Sequence, residues 1–191
     1  MRKIILASRS KARQKLLRQI GLKFQAVNPH VKEDSAPRPD CADLVIANAL
    51  AKAKAAAKRF SSGVVIGADT VVLAGKKIIG KPKNMSDAFK TLKLLSRAPQ
   101  LVYTGIAVVD IDHKKIFSDF ERTKIYMYRL TDKQIRNYFK KVSPLDKAGS
   151  FDIQGLGSIF IDRIEGCFYN VVGLPLAKLA KLLKKAQIDV F

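Results

Sequence analysis

The chain begins with a short apolar run at residues 3–7 (KIILA), which reads as a buried strand. Ser8 or Ser10 follows as a helix cap, and Leu16, Leu17 and Ile20 share one face of a helix over about 11–20. Gly21 stops it, and a further strand reaches about Val27. Residues 28–39 hold three prolines and read as a loop. Asp40, with Asp43 three residues on, caps a helix reaching about Arg59. Residues 64–72 (VVIGADTVV) form the next strand, and a hairpin follows through LAGKKII. Ser86 caps a helix to about Ser96, and two long strands meet near His113, which is expected solvated in the turn. Thr131 and Gln134 form a capping box for a helix ending near Lys141. A glycine-bearing loop over 143–157, a short strand (IFIDRI) and a helix from Pro175 close the chain. Strands alternating with helices, some strands adjacent, predict an α/β fold around one mixed sheet, in a single domain.

One residue breaks this pattern. Asp69 stands inside an otherwise apolar strand, and Asp is depleted in strands. A carboxylate away from water needs a partner charge or a metal. Other polar residues in unusual settings narrow the choice. Ser8 and Arg13 lie at a helix start, where backbone N–H groups favour an anion; Arg13 there opposes the helix dipole. Lys54 continues an apolar stripe made by Leu44, Ala47 and Ala51, so it either snorkels or reaches a buried anion. Lys81 is held between Gly80 and Pro82, and Lys147 lies in a similar loop that ends in Gln154 and Gly155. An amide such as Gln154 offers a base edge both a donor and an acceptor. Four basic groups of this kind suit a triphosphate, and Glu33 with Asp69 suits a hard cation such as Mg²⁺.

Composition changes the picture in one respect. The 191 residues carry 36 Lys and Arg against 16 Asp and Glu, a formal charge of +20. That favours a polyanionic partner, although the lysines are scattered. No apolar run approaches membrane-spanning length, and the N-terminus lacks a signal-peptide core, so a cytoplasmic protein is expected. Cys41 and Cys167 stand far apart, which argues against thiolate metal sites and disulfide frameworks. Neither His30 nor His113 sits in a recognisable triad setting. The GxxxxGK[ST] and GxGxxG phosphate loops are absent.

The segments LASRSKARQKLL, Glu33 after HVK, AKAKA, GADTVV, GKP, Thr104-Gly105, DKAGSFDIQG and NVVGLPL resemble, in that order, the Maf family of nucleoside triphosphate pyrophosphatases. The likeness covers nearly the whole chain. It implies an elongated mixed sheet flanked by helices, similar to the inosine triphosphate pyrophosphatases. It also implies a divalent metal, Mg²⁺ or Mn²⁺, and often a homodimer. The implied reaction splits a nucleoside triphosphate between its α and β phosphates. Carried over residue by residue, the resemblance makes Asp69 the general base and, with Glu33, a metal ligand. Ser8, Arg13, Lys54, Lys81 and Lys147 would bind substrate, and Thr70 and Gln154 match the dTTP/UTP branch. Lys11 and Ala12 depart from the family's Pro and Arg, Arg97 and Gln100 from its Gly and His, and Ser143 from its Glu. Two other readings remain. One is a basic nucleic-acid-binding module, disfavoured by few aromatics and no basic run longer than two. The other is a regulator that binds nucleotide without turning it over.

Overall fold

The computed structural model describes residues 2–34, 41–145 and 147–190. Its elements, in order, are β1 (Ile4–Ala7), α1 (Lys11–Gln19), β2 (Gln25–Val27), α2 (Cys41–Ala57), β3 (Val64–Ala74) and β4 (Lys77–Ile79). Then come α3 (Met85–Leu95), β5 (Gln100–Asp110), β6 (Lys115–Met127), α4 (Asp132–Lys141), β7 (Ile161–Glu165), α5 (Phe168–Val172) and α6 (Leu176–Lys185). The strands form a seven-stranded mixed sheet in the order β2-β1-β3-β5-β6-β7, with β4 on β3. β2 and β3 run parallel to β1, whereas the β3–β4 and β6–β7 pairs are antiparallel.

The chain divides into two compact units. The first comprises the residues up to Thr70, Tyr103–Glu121 and those from Tyr169 on. Its central strands, β1 and the first half of β3, are apolar on both faces because both faces are covered. Ile4, Leu6, Val64 and Ile66 pack with Leu16 and Leu17 of α1 and Leu179 and Leu183 of α6. Ile5, Ala7 and Val65 point the other way, onto Ala49, Ala53 and Ala56 of α2. Two glycines let α2 lie directly on the sheet. A Cβ at Gly67 would collide with the Ala49 carbonyl, and one at Gly105 with the Val45 backbone. This close seating brings the side chains of α2 to the level of Asp69.

The second unit comprises Val71–Val102 and Arg122–Phe168. Tyr138 of α4 packs edge-on against Phe160, their ring centroids 4.9 Å apart, and its hydroxyl accepts the Asp152 N–H at 3.0 Å. Lys93 of α3 pairs with Asp132 of α4 at 2.6 Å. Within this unit the loops bearing Lys81 and Lys147 are joined by a hydrogen bond from Gly149 N–H to the Gly80 carbonyl, 3.4 Å.

Several sequence expectations are corrected. Of the two expected cap candidates, Ser10 is the one that caps α1, accepting the Arg13 N–H. Asn84, not Ser86, caps α3: its side chain accepts the Asp87 N–H, so the helix starts one residue before Ser86. The last strand begins at Ile161, because Leu156–Phe160 coils into a 3-10 turn. The short helix α5 was not signalled by any cap. His113 is exposed in the turn, as expected, and its Nδ1 also lies 2.9 Å from an Asp110 oxygen. The expected cap at Asp40 lies outside the described residues, while the Thr131–Gln134 capping box is present. No helix among the described residues is long and apolar enough to cross a membrane.

Candidate functional site

Asp69 is 4% exposed, which raises the demand for partners that the sequence posed. α2 supplies two. Lys52 Nζ lies 2.7 Å from Asp69 Oδ1, and Asn48 Nδ2 donates to Asp69 Oδ2 at 2.9 Å. Four residues apart on a helix, Asn48 and Lys52 stack on one face, so each meets one oxygen of the same carboxylate. Lys52 Nζ also lies 2.7 Å from Glu33 Oε1. The Glu33 and Asp69 oxygens are therefore no farther apart than twice that distance. Glu33 remains 58% exposed at its side chain, whereas Lys52 is 7% exposed.

Lys52 replaces Lys54 as the basic residue on the buried face. Of the expected stripe Leu44, Ala47, Ala51 and Lys54, only Leu44 is buried; the buried positions of α2 are Cys41, Ala42, Leu44, Val45, Asn48, Ala49, Lys52, Ala53 and Ala56. Lys54 is exposed. The cause is an alanine-rich helix, on which several phases look equally apolar. Asn48 and Lys52 interrupt the true stripe and so concealed it.

Arg13 forms a second polar centre in the same unit. Nε donates to the Gly173 carbonyl at 2.8 Å, and the two terminal nitrogens donate to the Ala68 carbonyl at 3.0 Å and Thr70 Oγ1 at 2.8 Å. A longer contact of 3.4 Å reaches Ser8 Oγ. These bonds take four of the five guanidinium donors. Protein carbonyls and hydroxyls thus occupy most of the capacity expected to meet an anion. Burial lowers the Arg13 pKa from its usual value, and the charges of Asp69 and Glu33 act in the opposite direction. Thr70 Oγ1 also lies 2.9 Å from Thr104 Oγ1, which in turn donates to the Asn170 carbonyl at 3.1 Å. Ser8 is buried, and its Oγ accepts the Ser10 N–H at 3.2 Å.

The second unit carries the remaining candidates. Lys81 is exposed, Lys147 is half-buried with Nζ 3.2 Å from the Ser143 carbonyl, and Gln154 is exposed, its N–H donating to Asp152 Oδ1. The structure brings Ser8, Arg13, Thr70 and Asp69 into one unit with Glu33, and it links the Lys81 and Lys147 loops in the other.

A family model described as Maf-like protein matches residues 3–186. The chain belongs to the Maf family. It is 44% identical over 192 residues to a dTTP/UTP pyrophosphatase of Methanosarcina barkeri, covering 100% of this chain and 98% of that protein. It is also 44% identical over 190 residues to a dTTP/UTP pyrophosphatase of Bacillus anthracis, with the same shares covered. Among solved structures, the Ham1 protein of Staphylococcus aureus matches with a TM-score of 0.43 and 15% identity, over 66% of this chain and 72% of that one. A likeness that slight carries no argument. The family segments fall on the polar centres just described: SRSKAR on Arg13, the AKAKA run on Lys52, and GADT on Asp69 and Thr70.

Proposed function

We propose that this Maf-family chain is a nucleoside triphosphate pyrophosphatase that releases pyrophosphate and leaves the nucleoside monophosphate. The observation that carries the reading is the buried Asp69 carboxylate, fixed at one oxygen by Lys52 and at the other by Asn48, with Glu33 on the same ammonium. Such a carboxylate, in a protein whose relatives are named dTTP/UTP pyrophosphatases, supports a catalytic role for Asp69 in this reading.

In this reading Asp69 orients the attacking water and takes its proton. The water oxygen bonds to phosphorus as the bond to the departing pyrophosphate breaks. Each Asp69 oxygen accepts one hydrogen bond from α2 and keeps a further lone pair, so Lys52 and Asn48 restrain the carboxylate and leave it able to accept from a water. A positioned base contributes about 10²–10⁴-fold to such a step. Arg13 braces β1, β3 and the turn before α6, and its charge adds to the field that favours phosphate. Lys81 and Lys147 as phosphate ligands, and Gln154 and Thr70 as base-recognition residues, rest on the family resemblance.

The donor set fits a divalent cation. Two carboxylates already share one positive centre, Lys52, and hard oxygen ligands suit Mg²⁺ or Mn²⁺. Among the described residues no group of three or more His, Cys, Asp or Glu could hold a metal. Glu33 and Asp69 would hold it, with water and phosphate oxygens completing the shell, as is usual for Mg²⁺. When bound, such an ion neutralises phosphate charge and activates water. A homodimer is part of the same reading, supported by the resemblance, and light scattering tests it; a cytoplasmic setting is proposed with it, and fractionation tests that.

The deciding experiment is pyrophosphate release from a panel of nucleotides with Mg²⁺ or Mn²⁺. UTP and dTTP are expected to exceed ATP and GTP. Equal rates across the panel would show that Ala12, in place of the family arginine, has opened the pocket. Asp69→Asn is expected to bind nucleotide but lose at least about 10²-fold in kcat. Near-normal turnover in that variant removes Asp69 from the chemistry.

A further inference from the structure

Asn48 is a residue that neither the spacing of charges nor the family segments singled out. It sits 4% exposed in the middle of α2, where asparagine is a poor helix former and a buried amide is costly unless bonded. Its three short hydrogen bonds account for its presence. Oδ1 accepts the Asp34 N–H at 2.9 Å, Nδ2 donates to the Asp34 carbonyl at 2.9 Å, and Nδ2 also donates to Asp69 Oδ2 at 2.9 Å.

The orientation of the amide follows from these partners. A backbone N–H only donates, so the Asn48 oxygen must face Asp34, and the NH₂ group is left facing Asp69. One side chain therefore holds the backbone next to Glu33 and, at the same time, the far oxygen of Asp69. Lys52, one helical turn on, closes the arrangement from the other side through Glu33 Oε1 and Asp69 Oδ1. Both Asp69 oxygens are thus engaged from α2, and the same helix bonds the Asp34 backbone and the Glu33 carboxylate.

We infer that Asn48 is a positioning residue that locks the rotation of Asp69 and fixes the spacing between Asp69 and Glu33 for the hydrolytic step. This rests on the pyrophosphatase reading above. The role predicts a loss in kcat rather than in KM, because the bonds of Asn48 go to the Asp69 carboxylate and to the Asp34 backbone next to Glu33, which position the reacting groups.

The experiment compares Asn48→Leu, Asn48→Asp and Val45→Ala in steady-state hydrolysis of UTP and dTTP, with Tm and amide hydrogen exchange measured on each. Asn48→Leu removes all three bonds at similar volume. Asn48→Asp keeps an acceptor for the Asp34 N–H but turns an acceptor instead of a donor toward Asp69. Val45→Ala weakens the same buried face one turn earlier and leaves these bonds intact. Both Asn48 variants are expected to lose about tenfold to a hundredfold in kcat with KM within about threefold, the scale of a hydrogen bond to a charged group. Only Asn48→Leu is expected to speed exchange of the Asp34 amide. Val45→Ala is expected to lower Tm with kcat per folded molecule unchanged. An Asn48→Asp enzyme with the kcat of the parent overturns the inference. So does a Val45→Ala enzyme whose kcat falls as far as that of Asn48→Leu, which would make the effect one of stability. A parent protein that hydrolyses none of the nucleotides overturns the pyrophosphatase reading itself, and the positioning role goes with it.

Discussion

Lys52 holds two carboxylates at 2.7 Å each while 7% exposed, and Lys54, two residues on, is exposed to solvent. Truncating a partner of a buried ion pair leaves a charge without compensation, a strongly destabilising change confined to the pair. Lys52→Met is therefore expected to lower both Tm and turnover, the latter by at least about 10²-fold if Asp69 loses its orientation. Lys54→Met is expected to stay within about twofold in turnover, as a surface substitution does. Parallel assays on the two variants decide between them, and equal losses would contradict the site as built. Asp69 was legible in the sequence because a carboxylate in an apolar strand violates strand propensity, and Glu33 and Asp69 do meet. Lys52 and Asn48 were not, since a run of alanines gives no phase against which to read a helix face. Arg13 is legible as a basic residue in an unusual setting at a helix start, whereas its bonds to carbonyls and hydroxyls of its own unit, distant along the chain, carry no local signal.

At the level of elements, the caps that combine a hydroxyl with a matching residue three positions on were readable, as at Thr131 and Gln134. The start of α3 was misjudged by two positions, because Asn84 and Ser86 are both good caps and only the Asp87 N–H chose between them. A tertiary clasp could not be read at all. Arg2 bonds Asp110 and Asp112 at the end of β5, and also donates to the Ala186 carbonyl at the end of α6 at 2.6 Å. Residues more than a hundred positions apart carry no local signal of such an arrangement. It has a measurable consequence. Burial alone would raise the Asp110 pKa, but hydrogen bonds from Arg2 and His113 together outweigh it and bring the value from 3.8 to about 2. A carboxylate with a depressed folded-state pKa stabilises the fold above its unfolded value, and that stability is lost as pH falls through the folded value. The contribution is on the order of 2 kcal/mol, lost between about pH 4 and pH 2. Asp110→Asn is expected to lower Tm at pH 7 and to flatten the decline of Tm across that window. A variant whose Tm falls as steeply as the parent's would show that Asp110 is not the group being titrated.

For the whole molecule the governing quantity is a formal charge of +20, spread along the chain rather than gathered in one run. A field of that sign draws a polyanion such as a triphosphate toward the protein before any specific contact forms. Salt screens it over about 10 Å at 0.1 M and about 3 Å at 1 M, while short contacts such as those around Asp69 are screened far less. Association and chemistry should therefore respond differently. Raising ionic strength from about 0.05 M to 0.5 M is expected to lower kcat/KM for UTP several-fold, mainly through KM, with kcat held within about twofold. The same charge is also what a nucleic-acid module would display, and the salt series separates the two. A random oligonucleotide would inhibit an enzyme of this kind weakly, and only at low salt. If instead it bound tightly, with affinity falling steeply as salt rose, and UTP turnover showed no salt dependence, the charge would serve nucleic acid and not the nucleotide site.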